Sequence, residues 1–448
     1  MGERVAVILA AGKGTRMKSD VPKVLHKVAG RAMVDWSVDL ARSAGCSRTV
    51  VVCSPGQDRL IDYVEATLGP NSIAIQDPPL GTGHAVQAAE EMVGRDGHLV
   101  VLYGDTPLIR LEAVEGLFAA LEDGAAIGVL GFEAADPGQY GRLIKAADGS
   151  LDRIVEAREA SADELAVTLC NSGVMAASAS DMFGYLSNVT NDNAKGEFYL
   201  TDVVGLAHAD GRRSAVIECD EADVQGCNDR TQLADTNAAF QVRRRREAMA
   251  EGVTLEAPET VYFSYDTELG RDTIVEPNVV FGPGVRIETG ATIRAFSHLE
   301  GAVVKSGAVI GPYARLRPGA DIGEHCRIGN FVEVKNVAMA SGAKANHLAY
   351  LGDGEVGVGA NLGAGTIFCN YDGFNKSRTV VGAGAFVGSN SALIAPVTIG
   401  DGAYVGSGSV ITDDVDPDAL AVARGRQVQK KGWATEFRDS QSKSKSGD

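Results

Sequence analysis

The strongest constraint on the fold is a repeat of six residues in the C-terminal half of the chain. Its first apolar positions are Phe281, Ile287, Ile293 and Leu299, and the repeat resumes after one slipped residue. The later apolar positions are Val304, Ile310, Leu316, Ile322, Ile328 and Val334, and then Val381, Val387, Leu393, Ile399, Val405 and Ile411. A period of six matches neither an α-helix nor a strand that alternates in twos. It predicts a solenoid in which three short strands form each triangular coil and the apolar positions point inward.

The composition favours two domains and limits the possible partners. At 448 residues the chain is too long for a single core, and 45% hydrophobic with 23% charged residues is typical of a globular protein. The net charge of −17 disfavours nucleic acid or an anionic membrane as a main partner. An anionic substrate would therefore have to be bound by local lysines and arginines, by backbone amides or by a metal ion.

The sequence predicts a cytoplasmic protein without a membrane segment. No apolar run approaches the length of a membrane span, and the opening MGERVAVILAAGKG leads into a strand-like segment without the layout of a signal peptide. The seven cysteines contain no CxxC pair, which indicates scattered reduced thiols.

The N-terminal half has the alternating pattern of an α/β domain. Buried strands are predicted at residues 5–9, 49–53, 72–75, 99–103 and 126–130. Amphipathic segments such as 34–43 and 113–121 lie between them. This pattern predicts a mainly parallel sheet within residues 1–229, with ligands bound outside the carboxyl ends of the strands.

The rest of the chain is predicted to contain a connector and the solenoid. Residues 230–251 contain neither Gly nor Pro and predict a connecting helix. The four arginines at 243–246 would point all round this helix, so we expect a solvated linker rather than a nucleic-acid patch. The solenoid domain is expected over residues 252–448, with a polar tail that is disordered from about residue 439.

A glycine-rich segment, LAAGKGTRM, follows the first predicted strand. Small residues there would let backbone amides approach a phosphate or a base. The segment is neither a Walker A motif nor a complete GxGxxG, so a simple tight turn would explain it equally well by itself. Two nearby features favour a nucleotide site: Lys23 follows Pro22, and Tyr103, Gly104 and Asp105 end an apolar strand.

Asp105 is the carboxylate that could hold a divalent cation. At the carboxyl end of its strand it would face the crevice, where a cation could be held against phosphate oxygens. The alternative is a helix cap or a turn former, because Thr106-Pro107 follows. The neighbouring motifs favour the cation site.

These motifs resemble those of the sugar-nucleotide pyrophosphorylases. The order LAAGKGTRM followed by Pro22-Lys23 is specific to that group, and the stretches around Gln76 and Asn228 narrow the resemblance. With the solenoid, residues 4–437 resemble the bifunctional N-acetylglucosamine-1-phosphate uridyltransferase/glucosamine-1-phosphate acetyltransferases of bacterial cell-wall precursor synthesis. The resemblance implies an α/β nucleotidyltransferase domain with a Rossmann-like mixed sheet, joined by a helix to a left-handed parallel β-helix.

The resemblance also implies roles for residues of the N-terminal domain. The uridine positions are Leu9, Ala10, Ala11, Gly12, Gln76, Gly81 and Thr82, beside Tyr103 and Gly104. The phosphate positions are Arg16 and Lys23, the Mg²⁺ ligands are Asp105 and Asn228, and the sugar positions are Gly141, Glu156 and Asn171. These residue types suit attack of a sugar phosphate on UTP, because that reaction needs charge neutralisation and in-line placement but no protein nucleophile.

A second site is expected where the six-residue rhythm breaks, at about residues 336–355 and 367–380. Interruptions of a repeat stack often carry function. His347 lies in the first break, and an imidazole can accept a proton near neutral pH, which predicts a general base for attack of an amine on a thioester. A histidine metal site is disfavoured because His298, His325 and His347 are far apart in sequence.

The resemblance extends to this half of the chain. It places the general base at His347, the sugar-phosphate contacts at Arg317, Lys335, Tyr350 and Asn361, and the acetyl-CoA contacts at Ala364, Asn370, Tyr371, Ser389, Ser407 and Arg424. Two positions depart from the family pattern: Asn346 stands where glycine is common, and Ser407 replaces an alanine. The family implies a homotrimer with acetyltransferase sites between subunits and the loop at 368–378 reaching a neighbour.

The resulting prediction is a bifunctional enzyme of UDP-N-acetylglucosamine synthesis. Its solenoid would transfer acetyl from acetyl-CoA to glucosamine 1-phosphate, and its N-terminal domain would join N-acetylglucosamine 1-phosphate to the uridylyl group of UTP and release pyrophosphate. Two alternatives remain at this point: a monofunctional nucleotidyltransferase whose solenoid only oligomerises or senses effectors, and a non-catalytic sugar-nucleotide-binding scaffold.

Overall fold

The structure, a computed structural model, describes residues 2–445. It divides into two compact units, the first ending at Arg244 and the second beginning at Arg245. The division falls within a helix, Arg230–Ala250, in the stretch for which the connecting helix is predicted. No helix within residues 2–445 has both the length and the apolar character needed to cross a bilayer.

A mixed β-sheet organises the first unit. In spatial order its strands are Ile73–Ile75, Arg48–Cys53, Arg4–Leu9, His98–Tyr103, Leu169–Ser178, Ile127–Glu133, Ser214–Cys219, Leu151–Val155 and Arg142–Lys145. The first four are parallel to one another, and Leu169–Ser178 runs antiparallel to both of its neighbours. A small antiparallel pair, Lys27–Val28 and Arg31–Ala32, lies apart from the main sheet. The fold prediction of a mainly parallel, mixed α/β sheet is confirmed.

The first unit buries both faces of its sheet. Along Arg4–Leu9, Val5 and Val7 pack into one core layer, whereas Ala6 and Ile8 pack into the other, because successive strand side chains point to opposite faces. The helices are Met33–Ser43, Asp58–Leu68, Thr82–Gln87, Glu90–Val93, Leu111–Glu122, Ala162–Leu165, Ala179–Leu186 and Asp202–Ala209, and the 3₁₀ turns are Thr15–Met17, Lys23–Leu25 and Glu221–Asp223.

The second unit is a stack of triangular coils built from short parallel strands. One column comprises Thr254–Leu255, Ile274–Val275, Thr292–Ile293, Val309–Ile310, Arg327–Asn330, Lys344–His347, Asn361–Leu362, Phe386–Val387, Tyr404–Val405 and Leu420–Ala421. The other two columns comprise Glu268–Leu269, Val280–Phe281, Arg286–Ile287, His298–Leu299, Ala302–Val304, Arg315–Leu316, Ala320–Ile322, Glu333–Met339, Tyr350–Val356, Ile367–Cys369, Thr379–Val381, Ala392–Ile394, Val397–Ile399 and Val410–Ile411. A short 3₁₀ turn, Pro258–Thr260, precedes them.

The repeat of six residues lines the interior of these coils. All the apolar positions predicted from the rhythm, from Phe281 to Ile411, are buried. A typical coil contains three hexads, so that Ile274 pairs with Thr292 in the next coil. The prediction of a hexapeptide-repeat β-helix is confirmed.

The prediction of two breaks in the stack is wrong for the first of them. Across residues 336–355 the strands Glu333–Met339 and Tyr350–Val356 remain paired, and the coil is only one residue shorter than three hexads. The sequence rhythm is hidden there because Ala345 takes the buried position that Ile328 and Leu362 hold on the neighbouring coils, and because the coil is one residue short. The chain leaves the stack only near the second break. There Gly354 pairs with Thr379, and residues 370–378, called the excursion below, lie between the strands Ile367–Cys369 and Thr379–Val381.

Two smaller expectations also need correction. The arginine run is not wholly solvated, because Arg243 donates to the carbonyl of Leu108 and pairs with buried Asp223, and Arg245 donates to the carbonyl of Val261. The expected disordered tail is replaced, as far as Lys445, by a helix over Trp433–Lys445. That segment contains no Gly or Pro, and Trp433 stacks on Phe437 one turn later at 5.2 Å between ring centroids. Residues 446–448 lie outside the described part of the chain.

Candidate active sites

A cavity of ≈ 330 Å³ opens at the carboxyl ends of the parallel strands in the first unit. Its lining includes the predicted residues Leu9, Ala10, Ala11, Gly12, Lys23, Gln76, Gly81, Thr82, Tyr103 and Asp105. The carboxyl ends of parallel strands meet at one edge of the sheet, which explains why segments distant in sequence converge here.

The glycine-rich loop is shaped by close contact with Lys23. Gly14 has φ +59°, and a β-carbon at this position would lie 2.6 Å from Cβ of Lys23. The backbone at Gly14 is therefore in a left-handed conformation that also requires the absence of a side chain. This contact directs the stem of Lys23 past the loop and into the cavity.

Lys23 brings together the two proposed metal ligands. Its ammonium contacts a carboxylate oxygen of Asp105 and donates to Oδ1 of Asn228 at 3.2 Å. The Asn228 loop is held in place by the hydrogen bond from the amide of Cys227 to the carbonyl of Asp105, at 2.9 Å. Two oxygen atoms from distant segments thus converge on one cationic group.

These two oxygens fit a hard divalent cation. Mg²⁺ prefers oxygen ligands and is usually bound by one or two protein groups together with substrate phosphates and water. Within residues 2–445 no cluster of three or more His, Cys, Asp or Glu side chains could hold a metal ion by itself. Asp105 and Asn228 therefore suit a cation that arrives with a nucleotide, rather than one held in an all-protein cage.

Gln76 lines the same cavity and is held in place by a neighbouring loop. It is buried, and its amide donates to the carbonyl of Gly81 at 2.8 Å. Gly81 has φ +107°, and a β-carbon there would lie 2.6 Å from the carbonyl oxygen of Phe198. The amide of Gly83 donates to that same carbonyl at 2.8 Å. The loop around Gly81 is thus pressed against a second backbone segment, which leaves Gln76 in one orientation.

The three proposed sugar positions lie together. The amide of Asn171 donates to the carbonyl of Gly141 at 2.8 Å, and a β-carbon on Gly141 would lie 3.7 Å from both Asn171 and Glu156. Burial raises the pKa of Glu156, and neighbouring Glu159 and Glu197 raise it further. Burial and the charges of Asp105 and Glu156 raise the pKa of Tyr103.

Six predicted residues of this half are absent from the cavity lining: Arg16, Gly104, Gly141, Glu156, Asn171 and Asn228. Arg16 lies exposed on the 3₁₀ turn Thr15–Met17, and Gly104 instead packs beside Val24, whose Cγ1 would lie 3.1 Å from an added β-carbon. Glu197 lines the cavity but was missed from the sequence. Its neighbour Phe198 pairs with the backbone of Leu80, and no motif around residue 197 signals this long-range contact.

In the second unit His347 ends a strand at a corner of the coil. Its Nδ1 lies 2.8 Å from Oδ1 of Asn330, the residue paired with it on the preceding coil. Both residues border a groove of ≈ 350 Å³ that Asn346 also lines. Because an amide oxygen can only accept, this contact requires a proton on Nδ1, and in the neutral imidazole Nε2 is then the atom that can accept a proton.

The proposed sugar-phosphate residues lie on or beside strands near the one that ends at His347. Lys335 pairs in register with Gly352, and a β-carbon on Gly352 would lie 2.5 Å from the hydroxyl of Tyr350. Arg317 donates to Glu333 at 2.8 Å. Asn361 is on the other column, paired with Phe386. The structure thus groups Lys335 and Tyr350 closely and places Asn361 on a neighbouring face.

The proposed acetyl-CoA residues occupy successive coils along one edge. The amide of Asn390 donates to the carbonyl of Ala364 at 2.7 Å, and the amide of Gly408 donates to the carbonyl of Ser389 at 2.8 Å. Ser407 packs on Gly388, and Arg424 lies beside Gly408 in the next coil. The remaining two, Asn370 and Tyr371, begin the excursion that follows Ile367–Cys369.

Replacing Gly14 with alanine is expected to lower the rate of uridylyl transfer by about tenfold or more. The new methyl group would displace the stem of Lys23, and the left-handed backbone adds roughly 1 kcal/mol of strain. Gly45, with φ +77° and open space around it, provides the matched control. If G14A and G45A have equal activity and equal melting temperature, Lys23 is not positioned by this contact.

The fold and the two sites define a nucleotidyltransferase joined to a hexapeptide-repeat acyltransferase. Residues 6–170 match the family of MobA-like NTP transferase domains, and residues 301–336 and 378–413 match the bacterial transferase hexapeptide family (six repeats). Curated relatives named bifunctional protein GlmU include that of Hyphomonas neptunium, 62% identical over 97% of this chain and 95% of the relative. Those of Azorhizobium caulinodans and Sphingopyxis alaskensis are 54% and 53% identical, each over 99% of this chain and over 100% and 98% of the relative.

The chain belongs to the family of bifunctional GlmU proteins. It is an enzyme with both uridyltransferase and acetyltransferase activity, which sets aside the monofunctional and the non-catalytic alternatives. The N-terminal unit carries the nucleotidyltransferase fold, and the solenoid carries the acyltransferase repeats.

Proposed function

We propose that the cavity of the first unit binds UTP and N-acetylglucosamine 1-phosphate and forms UDP-N-acetylglucosamine with release of pyrophosphate. The observation that carries this proposal is the convergence of Asp105 and Asn228 on Lys23, in a cavity that buried Gln76 also lines. Gln76 and the backbone of Gly81 suit the edge of a uracil ring, and Gly141, Glu156 and Asn171 suit the sugar. Arg16, which is exposed on its turn, would have to move inward to meet the phosphates.

In this proposal Asp105 and Asn228 hold Mg²⁺, which neutralises charge on the phosphates when it is bound. Lys23 binds phosphate oxygens and so favours attack at the α-phosphorus. The remaining residues align the sugar phosphate with the leaving pyrophosphate, because positioning supplies most of the catalysis in such a reaction. No protein nucleophile is required.

We propose that the solenoid site transfers acetyl from acetyl-CoA to the amine of glucosamine 1-phosphate, with His347 as the general base. Asn330 holds Nδ1 of the imidazole, so that Nε2 can take the proton that the amine loses as it attacks the thioester. Arg317, Lys335, Tyr350 and Asn361 bind the sugar phosphate. The edge formed by Ala364, Ser389, Ser407 and Arg424, with Asn370 and Tyr371, receives acetyl-CoA.

One assay tests both halves of the proposal. The purified chain is given acetyl-CoA, glucosamine 1-phosphate, UTP and Mg²⁺, and free coenzyme A and pyrophosphate are followed separately. Coenzyme A should appear without UTP, whereas pyrophosphate should require acetylated sugar phosphate. Pyrophosphate release that is independent of acetylation would contradict the proposed order of the two reactions.

We further propose that the enzyme is a homotrimer that acts in the cytoplasm. All seven cysteines are free thiols, which suits a reducing compartment. Phe296, Tyr313 and Phe331 form an exposed stacked row on successive coils, with ring centroids 4.8 and 5.3 Å apart. Hexapeptide solenoids associate side by side, and this row suits a second copy of the chain.

Light scattering is expected to give three times the mass of one chain. A variant with Phe296, Tyr313 and Phe331 replaced by asparagine, which tolerates the left-handed backbone that these residues adopt, is expected to dissociate. Substituting exposed Tyr404 by asparagine serves as the control for loss of an exposed aromatic ring. A triple variant that remains trimeric would place the interface elsewhere.

A further inference from the structure

Asp353 is a buried carboxylate between the two groups of residues proposed for the acetyltransferase site. It is 7% exposed and occupies a coil corner with φ +52°. Its Oδ1 accepts from the amide of Asn336 at 2.7 Å, and its Oδ2 accepts from the amide of Asn370 at 2.5 Å. Both acceptor atoms therefore have an amide donor, and a buried carboxylate satisfied in this way is held in a single orientation.

Its partner Asn370 lies where the two substrates would meet. A β-carbon on the intervening Gly352 would lie 2.5 Å from the hydroxyl of Tyr350 and 2.9 Å from Nδ2 of Asn370, so these two side chains approach each other over a glycine. Asn370 also begins the excursion, since its carbonyl accepts from the amide of Ser377 at 2.9 Å. Anchoring the Asn370 amide therefore fixes the base of that loop beside Tyr350.

The charges of two lysines also act on this carboxylate. Burial opposes the charge of Asp353, but its hydrogen bonds to Asn336 and Asn370 and the nearby charges of Lys335 and Lys376 together lower its pKa. The proximity of Lys335 lowers the pKa of Lys376. The positive charges of the two lysines oppose each other, and the charge of Asp353 acts in the other direction on the pKa of Lys376.

We propose that Asp353 is a positioning residue of the acetyltransferase, which holds Asn370 beside Tyr350, between the positions proposed for acetyl-CoA and those proposed for the sugar phosphate. This inference rests on the site assignment of the proposed function. Asp353 does not contact the reacting atoms in this scheme. It acts through Asn370, so its loss should weaken substrate binding more than it slows the chemical step.

The D353N variant is expected to raise KM for acetyl-CoA and for glucosamine 1-phosphate by about tenfold each, with a smaller change in kcat. Asparagine tolerates the left-handed backbone, so the corner should persist. The substitution removes the negative charge and one of the two acceptor atoms. Uridylyl transfer, measured on the same sample, should be unchanged and reports that the first unit is folded.

The exchange variant N336D/D353N separates positioning from a general structural role. It keeps one carboxylate among residues 336, 353 and 370 and leaves Asn370 unchanged. The side-chain amide at position 353 can donate to the new carboxylate at 336, and its oxygen can accept from Asn370. We expect both KM values to return to within about threefold of wild type. D272N, an exposed asparagine replacement at another left-handed corner, is the matched control and should behave as wild type.

Three results would overturn the inference. They are unchanged KM values in D353N, a loss confined to kcat, or an exchange variant as impaired as D353N although its melting temperature is normal. The inference can also fail separately from the proposed function. If H347A abolishes acetyl transfer while D353N is normal, only the role of Asp353 is wrong, whereas an active H347A would remove the site assignment itself.

Discussion

Replacing His347 with alanine is expected to reduce the rate of acetyl transfer by about 10²–10⁴-fold, the usual contribution of a positioned general base. The amine of glucosamine 1-phosphate must lose a proton as it attacks the thioester, and Nε2 of His347 is the atom that the Asn330 contact leaves free. The measurement is release of free coenzyme A at saturating substrates. Uridylyl transfer from added N-acetylglucosamine 1-phosphate should be unaffected.

His298 provides the control for this prediction. It lies exposed on a strand of the same solenoid, so H298A removes an imidazole without touching the proposed site. If H347A transfers acetyl at the rate of H298A, another group must accept the proton. A loss of uridylyl transfer in H347A would instead indicate a defect of the whole chain.

Replacing Asp105 with alanine is expected to lower uridylyl transfer by at least about 10²-fold and to weaken Mg²⁺ binding in the presence of UTP. The substitution removes one of the two oxygen ligands and leaves the ammonium of Lys23 with Asn228 as its remaining partner. Calorimetric titration with Mg²⁺ tests the binding, and pyrophosphate release tests the rate. Chelation by EDTA should likewise stop uridylyl transfer and spare acetyl transfer.

Asp20 supplies the matched control, because it is an exposed aspartate three residues before Lys23 and has no role in the proposal. D20A should bind Mg²⁺ with UTP as wild type does. If D105A retains both affinity and rate, the cation is held by other groups and Asp105 serves as a turn former, as the sequence alone allowed.

The architecture was predictable because both domains carry strong periodic signals. All sixteen repeat positions named for the solenoid fall inward as the six-residue rhythm requires, and the apolar runs at 5–9 and 99–103 form adjacent parallel strands. Leu169–Ser178 was missed, although it is central to the sheet. Its sequence LCNSGVMAAS is rich in small residues, because its neighbours on both sides are close, and small residues give a weak strand signal.

The sites were predictable only where a local motif marks them. The glycine-rich loop and Lys23 stand close in sequence, and both line the cavity. Glu197 and Asp353 were not found, because their roles arise from contacts across the fold: Glu197 through the pairing of Phe198 with Leu80, and Asp353 through amides on two different coils. Such contacts depend on the register of the stack and have no signature in a single sequence.

The spacing of the coils also sets how long an acyl donor the proposed acetyl-CoA edge can accommodate. From His347 the edge passes Ala364, Ser389 and Ser407 to Arg424, one coil per step, and neighbouring strands lie about 4.8 Å apart, so four steps span roughly 19 Å. The length of this edge can therefore change only in steps of one coil. Inserting one whole coil would lengthen the edge by one strand spacing, whereas a shorter insertion would either leave the stack, as the segment before Thr379 does, or move the residues that follow it to another column.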